Sequence, residues 1–246
     1  SMCWACPGLT DMAGALDGLL VVSLEQAVAA PFCTQRLADA GARVIKIERD
    51  GGETARHYDA AVQGASAYFV WLNRGKESAV LDLKSPQDLA LFLSILGRAD
   101  VLVQNLIPGA LARMGLDSAT LTTRFPRLIV ANIGGYGQDT PYASNRAYDM
   151  LVQAESGIAG LTGTAEEACK IGVSAADIAT GMTAYSAVLE ALHEVVDDPA
   201  RDDWRAVELE ILPGVSASLA TAPPSTPWPS SPRVLPSSSL GMGLSR

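Results

Sequence analysis

Short apolar runs alternate with helix-like segments through residues 19–133, and this alternation constrains the fold more than any other feature of the chain. Five of the runs have the character of buried strands: 19–24, 43–48, 78–82, 101–104 and 128–133. Runs of this length are typical of parallel strands that are covered on both faces. Pro31 suits the first turn of a helix that ends at Gly41, and Ser85 with Pro86 suits the start of a helix over 87–96. We therefore predict an α/β fold with a doubly wound, mostly parallel sheet and flanking helices.

The rest of the chain divides into a few further predicted pieces. Short helices are expected near 109–114 and 118–124, and residues 51–75 are predicted to be a long loop with an apolar patch at 68–72. The strand-like stretch over 206–211 has no evident partner, so we expect it to leave an exposed sheet edge.

Three regions are predicted from the changes in composition along the chain. Residues 1–18 are rich in Gly and Ala and are expected to be loose, and residues 19–211 form the folded domain. Residues 213–246 hold seven of the prolines and nine serines, with few apolar side chains to offset the ordering entropy. We therefore predict a disordered Pro/Ser-rich tail over 212–246.

Composition and charge exclude several classes of protein. The net charge of −9 and the absence of a basic block argue against a nucleic-acid partner. No apolar run approaches the ~20 residues of a membrane span, and no signal-type segment opens the chain. The spacing of Cys3 and Cys6 resembles half of a zinc site, but no second pair of ligands follows. We expect reduced thiols, a cytoplasmic location and no metal.

The segments that follow the strands are where a ligand is expected, because open parallel sheets bind ligands beyond their carboxyl ends. Basic residues recur there and suit contacts to phosphate groups; they are Arg49, Arg56, Arg74, Lys76 and Arg113. No Walker loop, G-x-G-x-x-G or G-x-S-x-G motif is present, and only two histidines occur. A histidine-based triad is therefore not expected.

Asp177 stands where a long Ala-rich helix is predicted to begin. An ordinary interpretation is that it is the N-cap of that helix. The alternative is that the free amide groups and the positive end of the helix dipole hold the carboxylate ionised, so that it can act as a nucleophile toward an activated acyl group. The local sequence leaves both interpretations open.

Many separate motifs give the chain a resemblance to the family III CoA-transferases, which include formyl-CoA, carnitine and dicarboxylate CoA-transferases and the α-methylacyl-CoA racemases. The resemblance covers residues 18–211, and the matching segments stand in the order of that family. They are Ala30-Pro31-Phe-Cys-Thr-Gln, Leu37-Ala-Asp-Ala-Gly-Ala-Arg-Val-Ile-Lys-Ile-Glu48, Asn73-Arg-Gly-Lys76, Leu81-Asp-Leu-Lys84, Asp100-Val-Leu-Val-Gln-Asn105, Pro108-Gly-Ala-Leu-Ala-Arg-Met-Gly-Leu116, Gly134-Gly-Tyr-Gly137, Tyr148-Asp-Met-Leu-Val-Gln-Ala154 and Ala176-Asp177 with Thr180-Gly181.

The resemblance implies the fold of the large domain of that family and a set of site residues. Asp177 falls on the catalytic aspartate, with no metal and no permanently bound cofactor, and coenzyme A or acyl-CoA is the substrate together with a carboxylic acid. The implied CoA contacts are Ala27, Val28, Ala29, Arg49, Leu72, Asn105, Leu106, Arg113 and Tyr136. The chain departs from the resemblance at Val28, where formyl-CoA transferase has a glutamine near the reacting groups, and at Gly134, where a basic residue precedes Gly-Tyr in the family.

Three functions remain open. The first is CoA transfer through an aspartyl-CoA thioester, with a dicarboxylyl-CoA such as succinyl-CoA as donor. The second is a non-catalytic CoA-binding or assembly module, because the resemblance stops after Ile211 as it would in a truncated or frame-shifted member that lacks the small domain. The third is an acyl-CoA racemase or epimerase, although Tyr148 stands where that branch has a histidine base and tyrosine titrates near 10. A homodimer is implied by the family but depends on the missing part.

Overall fold

Six parallel strands form one sheet in a computed structural model that describes residues 14–137, 140–196 and 208–211. The strands are β1 (Leu20–Leu24), β2 (Arg43–Glu48), β3 (Lys76–Val80), β4 (Val101–Gln104), β5 (Ile129–Ile133) and β6 (Glu208–Ile211). Their order in the sheet is β3-β2-β1-β4-β5-β6. This is the doubly wound order, in which the chain turns back between β1 and β4. The predicted fold class is confirmed.

Helices cover both faces of the sheet. They are α1 (Ala29–Asp39), α2 (Ala67–Asn73), α3 (Pro86–Leu96), α4 (Ala110–Arg113), α5 (Ser118–Arg124), α6 (Asp149–Glu155), α7 (Ile158–Thr162) and α8 (Ala175–Val196). A short 3-10 helix lies at Thr54–His57. None of the helices in the described ranges combines the length and the apolar character that crossing a membrane requires.

Alternate residues of the central strands supply two separate cores. In β4, Val101 and Val103 pack with α1 and α8 on one face, whereas Leu102 packs with α3 and α5 on the other. All three side chains are fully buried. Since successive side chains of a strand point to opposite faces, a strand covered on both sides has to be apolar throughout. This explains why the central strands could be recognised as continuous apolar runs.

Two predictions made from the sequence are wrong: the long loop over 51–75 and the missing partner of the last strand. Residues 51–75 are not a long loop, because they contain the 3-10 helix and α2; Ser66 caps α2 by accepting a hydrogen bond from the Phe69 amide at 3.4 Å. The β6 stretch does not lack a partner, since it pairs in parallel with β5 from Val130 to Ile133. It is nevertheless the last strand of the sheet within the described residues, as the prediction of a sheet edge requires. The predicted tail and most of the predicted loose start lie outside the described residues.

Candidate active site

A cavity of about 770 Å³ opens beside the point where the sheet changes direction. Its walls come from the segment after β1 and the segment after β4, which diverge because the chain continues in opposite directions from these neighbouring strands. Further lining comes from the end of β5, from the loop before α6, and from the first two turns of α8 with Asp177 and Thr180.

Helix α8 begins at Ala175, so Asp177 lies inside its first turn and is not the N-cap. The cap comes instead from another helix. The Asp149 carboxylate accepts hydrogen bonds from the backbone amides of Ala176, at 2.9 Å, and Asp177, at 3.3 Å. The interpretation of Asp177 as a capping residue is therefore wrong, and its carboxylate is left for another role.

The Asp177 carboxylate is half-buried and lines the cavity. It accepts no hydrogen bond from the residues that the structure describes. Burial, and then the negative charge of Asp149, raises the pKa of Asp177 to about 6. One interpretation of the sequence was that the helix amides hold the Asp177 carboxylate ionised. In the structure, the amides of Ala176 and Asp177 donate to Asp149 instead. The Asp177 carboxylate is still mainly ionised at pH 7, with lone pairs free to attack an electrophile.

Asp149 is itself held by Gln153, one helical turn further along α6. The fully buried Gln153 amide donates to Asp149 Oδ2 at 2.7 Å and accepts from the Ile171 amide, also at 2.7 Å. This arrangement ties α6 to the chain just before α8. Asp149 and Gln153 were not predicted from the sequence as site residues. The signal that could have identified them is their spacing of four residues within a segment that resembles the family.

The segment that connects β1 to α1 lines the cavity and is hydrogen-bonded by two side chains, Asn105 and Glu53. Asn105 pairs with the backbone of Gln26, accepting from its amide at 2.8 Å and donating to its carbonyl at 2.9 Å. The Ala27 amide donates to Glu53 Oε2 at 2.7 Å. Asn105 thus uses its side-chain amide to fix the β1–α1 connection, beyond the CoA contact that the resemblance implied.

Most of the residues implied by the resemblance line one cavity. They are Ala27, Val28, Ala29, Arg49, Asn105, Leu106, Tyr136 and Asp177. Leu72 and Arg113 are not among the lining residues. Leu72 is fully buried in α2, and Arg113 is exposed at the end of α4, where it donates to the Pro108 carbonyl at 3.3 Å. Tyr136 donates to Glu155 at 2.7 Å, a hydrogen bond that raises its pKa together with burial.

A second, smaller cavity of about 220 Å³ adjoins the first and shares Gln26, Arg49 and Leu106 with it. Residues 81–84 line it, so Lys84 is a further cation beside Arg49. Lys84 was not among the predicted binding residues, because β3 was predicted to extend to residue 82. The strand ends at Val80, which makes 81–84 one of the post-strand segments where ligands bind.

Fold and site together define a class: a doubly wound α/β protein with an unpaired carboxylate in a ligand-sized cavity at the switch point of its sheet. Within the described ranges, no group of three or more His, Cys, Asp or Glu side chains is placed to hold a metal ion. A profile of CoA-transferase family III matches residues 16–201. The chain belongs to CoA-transferase family III.

Curated relatives and solved structures agree with this assignment. The acetyl-CoA:oxalate CoA-transferase of Acetobacter aceti is 43% identical over 183 residues, which are 73% of this chain and 47% of that protein. The succinate–glutarate CoA-transferase of Agrobacterium fabrum is 40% identical over 224 residues, which are 86% of this chain and 55% of that protein. The chain spans roughly half the length of the curated relatives it matches.

Two crystal structures share the fold. A CAIB/BAIF family protein from Brucella suis superimposes with a TM-score of 0.72 at 35% identity, covering 81% of this chain and 53% of that one. The protein Rv3272 from Mycobacterium tuberculosis gives a TM-score of 0.74 at 33% identity, covering 85% of this chain and 57% of that one.

Proposed function

We propose that the chain transfers CoA between an acyl-CoA and a carboxylic acid, with Asp177 as the covalent nucleophile. The observation that carries this proposal is a half-buried carboxylate that lines a large cavity and accepts no hydrogen bond from the described residues. A carboxylate in that state has the lone pairs needed to attack a thioester carbonyl.

Asp117 in the same cavity provides the contrast. It caps α5 and accepts hydrogen bonds from the backbone amide and the hydroxyl of Thr120, at 2.9 and 3.0 Å. These bonds lower the pKa of Asp117, whereas the pKa of Asp177 is raised. Two carboxylates in one cavity with opposite environments favour different roles, and Asp117 has the structural one.

The proposed reaction proceeds through two covalent species. An Asp177 oxygen attacks the acyl carbonyl and the C–S bond breaks, which gives an aspartyl acyl anhydride and the CoA thiolate. The thiolate then attacks the aspartyl carbonyl and expels the donor acid, which leaves an aspartyl-CoA thioester. The acceptor carboxylate attacks this thioester and the C–S bond breaks, which forms a new aspartyl acyl anhydride and releases the CoA thiolate. The thiolate then attacks the acyl carbonyl of the acceptor, and the Asp177 carboxylate leaves. Each step exchanges one acyl bond for another, so no external proton or electron is needed.

The segment after β1, Arg49 and Lys84 are the proposed binding groups for the CoA moiety. Arg49 lines both cavities and Lys84 lines the smaller one, and a guanidinium or ammonium group suits phosphate oxygens. For the acids, we propose dicarboxylates. Curated relatives named for oxalate, glutarate and mesaconate support this choice.

Trapping the covalent intermediate tests the proposal. We expect that incubation with succinyl-CoA and hydroxylamine, followed by peptide mass mapping, finds an aspartyl hydroxamate at Asp177. Asp177→Asn abolishes the modification, whereas Asp117→Asn retains it. A folded wild-type chain with no modification at Asp177 contradicts the proposed nucleophile.

A second candidate function needs only the two cavities and the cations that line them, Arg49 and Lys84. In this alternative the chain binds CoA without turning it over. Titration calorimetry that detects CoA binding in a sample without hydroxamate formation would favour the alternative over the transferase.

A further inference from the structure

A buried ionic cluster contacts residues 25–28, the segment that connects β1 to α1, and includes Glu25 of that segment. Its members are Glu25, Lys46, Glu53, Asn73 and Lys76. Lys46 contacts Glu53 and donates to Asn73 Oδ1 at 2.8 Å, while Lys76 donates to Glu25 at 2.7 Å. The side chains of Lys46 and Glu53 are only 1% and 3% exposed. Charges this deeply buried are held in place, because removing one partner leaves the other uncompensated.

Glu25 and Glu53 of the cluster line the smaller cavity, and Glu53 also contacts the wall of the larger one at Ala27. Glu53 uses one carboxylate oxygen for Lys46 and the other for the backbone amide of Ala27. Ala27 is a non-glycine residue in the left-handed region, with φ of 61°. A side chain makes that conformation unfavourable, so the surrounding contacts have to maintain it.

The conformation of Ala27 sets the direction in which α1 begins. Val28 is the N-cap residue of α1, has no side-chain capping hydrogen bond, and lines the cavity together with Ala27 and Ala29. A change of Ala27 to the ordinary right-handed or extended region would therefore move this wall of the cavity.

We propose that Glu53, anchored by Lys46, is a positioning residue that keeps Ala27 left-handed and so holds the start of α1 against the bound acyl-CoA. This inference rests on the proposed function for its consequence in binding. Its structural content, the coupling between Glu53 and the backbone at Ala27, does not depend on that function.

A double-mutant cycle of Glu53→Ala and Ala27→Gly tests the inference, because glycine adopts positive φ without the penalty of a side chain. We expect Glu53→Ala to weaken CoA binding by about tenfold or more in titration calorimetry. The double variant should recover a large part of this loss. Glu77→Ala, at an exposed ion pair with Arg43 on the sheet edge, is the matched control and should leave CoA affinity unchanged.

Two results would overturn the inference: wild-type affinity in Glu53→Ala, or no recovery when Ala27→Gly is added. If Glu53→Ala does not fold, Glu53→Gln replaces it, since glutamine has one acceptor oxygen where Glu53 uses two, one for Lys46 and one for the Ala27 amide. We expect weaker CoA binding in this variant as well, and wild-type affinity would overturn the inference.

A wild-type chain that binds no CoA would refute the proposed function. In that case urea unfolding of the four proteins of the cycle, namely the wild type, the two single variants and the double variant, tests the inference by itself. Ala27→Gly should shift the unfolding equilibrium of the Glu53 variant several-fold more than that of the wild type. Equal shifts would show that Glu53 and Ala27 are not coupled.

Discussion

At the scale of single residues, Asp149 and Asp177 have different places in the site: Asp149 caps α8, and Asp177 lines the cavity. A carboxylate in the first turn of a helix usually binds the free amides there. Here Asp149 takes those hydrogen bonds from outside the helix, and its charge opposes ionisation of its neighbour. The result is a carboxylate that lines the cavity, accepts no hydrogen bond from the described residues and has a raised pKa.

The raised pKa of Asp177 predicts a dependence of stability on pH. The folded-state pKa of about 6 exceeds the ordinary value of 3.8, so the ionised form destabilises the fold. The contribution is favourable below about pH 4 and is lost as the pH rises through 6. We expect Asp177→Asn to raise the free energy of unfolding at pH 7 by on the order of 1–2 kcal/mol after solvent screening, with almost no difference at about pH 3, below the ordinary pKa. Urea unfolding at both pH values checks this, and an equal effect at both would contradict the assignment.

Removing the charge of Asp149 should move the pKa of its neighbour. Asn in Asp149→Asn keeps an oxygen that can accept the two helix amides, but it no longer repels the Asp177 charge. We expect the pH midpoint of hydroxylamine trapping to fall below 6 without reaching the ordinary range, because burial is the larger cause of the shift. An unchanged midpoint would mean that burial acts alone.

At the scale of elements, the position of the site depends on how closely α8 approaches α1. Gly181 makes this approach possible: a Cβ atom there would lie 2.6 Å from the Ala29 carbonyl oxygen and 3.0 Å from Phe32 Cβ. The first turn of α8, with Asp177, is thereby held next to the first turn of α1, which lines the same cavity.

Gly181→Ala should therefore destabilise the protein even though alanine favours helices. The gain in helix propensity is about 1 kcal/mol, and we expect the backbone clash to exceed it, for a net loss of about 1–2 kcal/mol. Gly160→Ala in α7 is the matched control, because a Cβ atom there meets nothing within 4 Å. Chemical unfolding of both variants measures the difference, and stabilisation by both would show that the helices pack less tightly than described.

At the scale of the whole molecule, a buried carboxylate joins β2 and β3 to the segment that follows β2. Glu48 at the end of β2 is hydrogen-bonded by Arg56, Ser78 and the Glu53 amide. Burial would raise the pKa of Glu48, but these hydrogen bonds outweigh it and lower the pKa to about 2.

This depressed pKa predicts acid sensitivity of the fold. The contribution of Glu48 is fully present above the ordinary value of 4.5 and is lost as the pH falls toward 2. We expect Glu48→Gln to be less stable than the wild type at pH 7 and to lose less stability between pH 4.5 and pH 2. Glu167→Gln, at an exposed position, should follow the wild type. Parallel pH profiles for Glu48→Gln and the wild type would contradict the role of this carboxylate.

The sequence by itself determined the elements whose cause is local. The central strands could be recognised because burial on both faces makes them apolar throughout, and Gly41 and Pro31 marked the limits of α1. The segments after β1 and β4 could be selected because chain order alone decides which residues follow a strand. Asp177 could be selected from the predicted start of its helix and from the resemblance to the family.

Only the tertiary structure decided which atoms meet. That Asp149 caps α8, that Glu53 holds Ala27 in a left-handed conformation, and that residues 81–84 line the smaller cavity all follow from contacts between segments far apart in the chain. The α2 helix and the pairing of β6 with β5 were missed for the same reason. Local propensity is a weak signal for a short element, and its burial against distant neighbours supplies the free energy that fixes it.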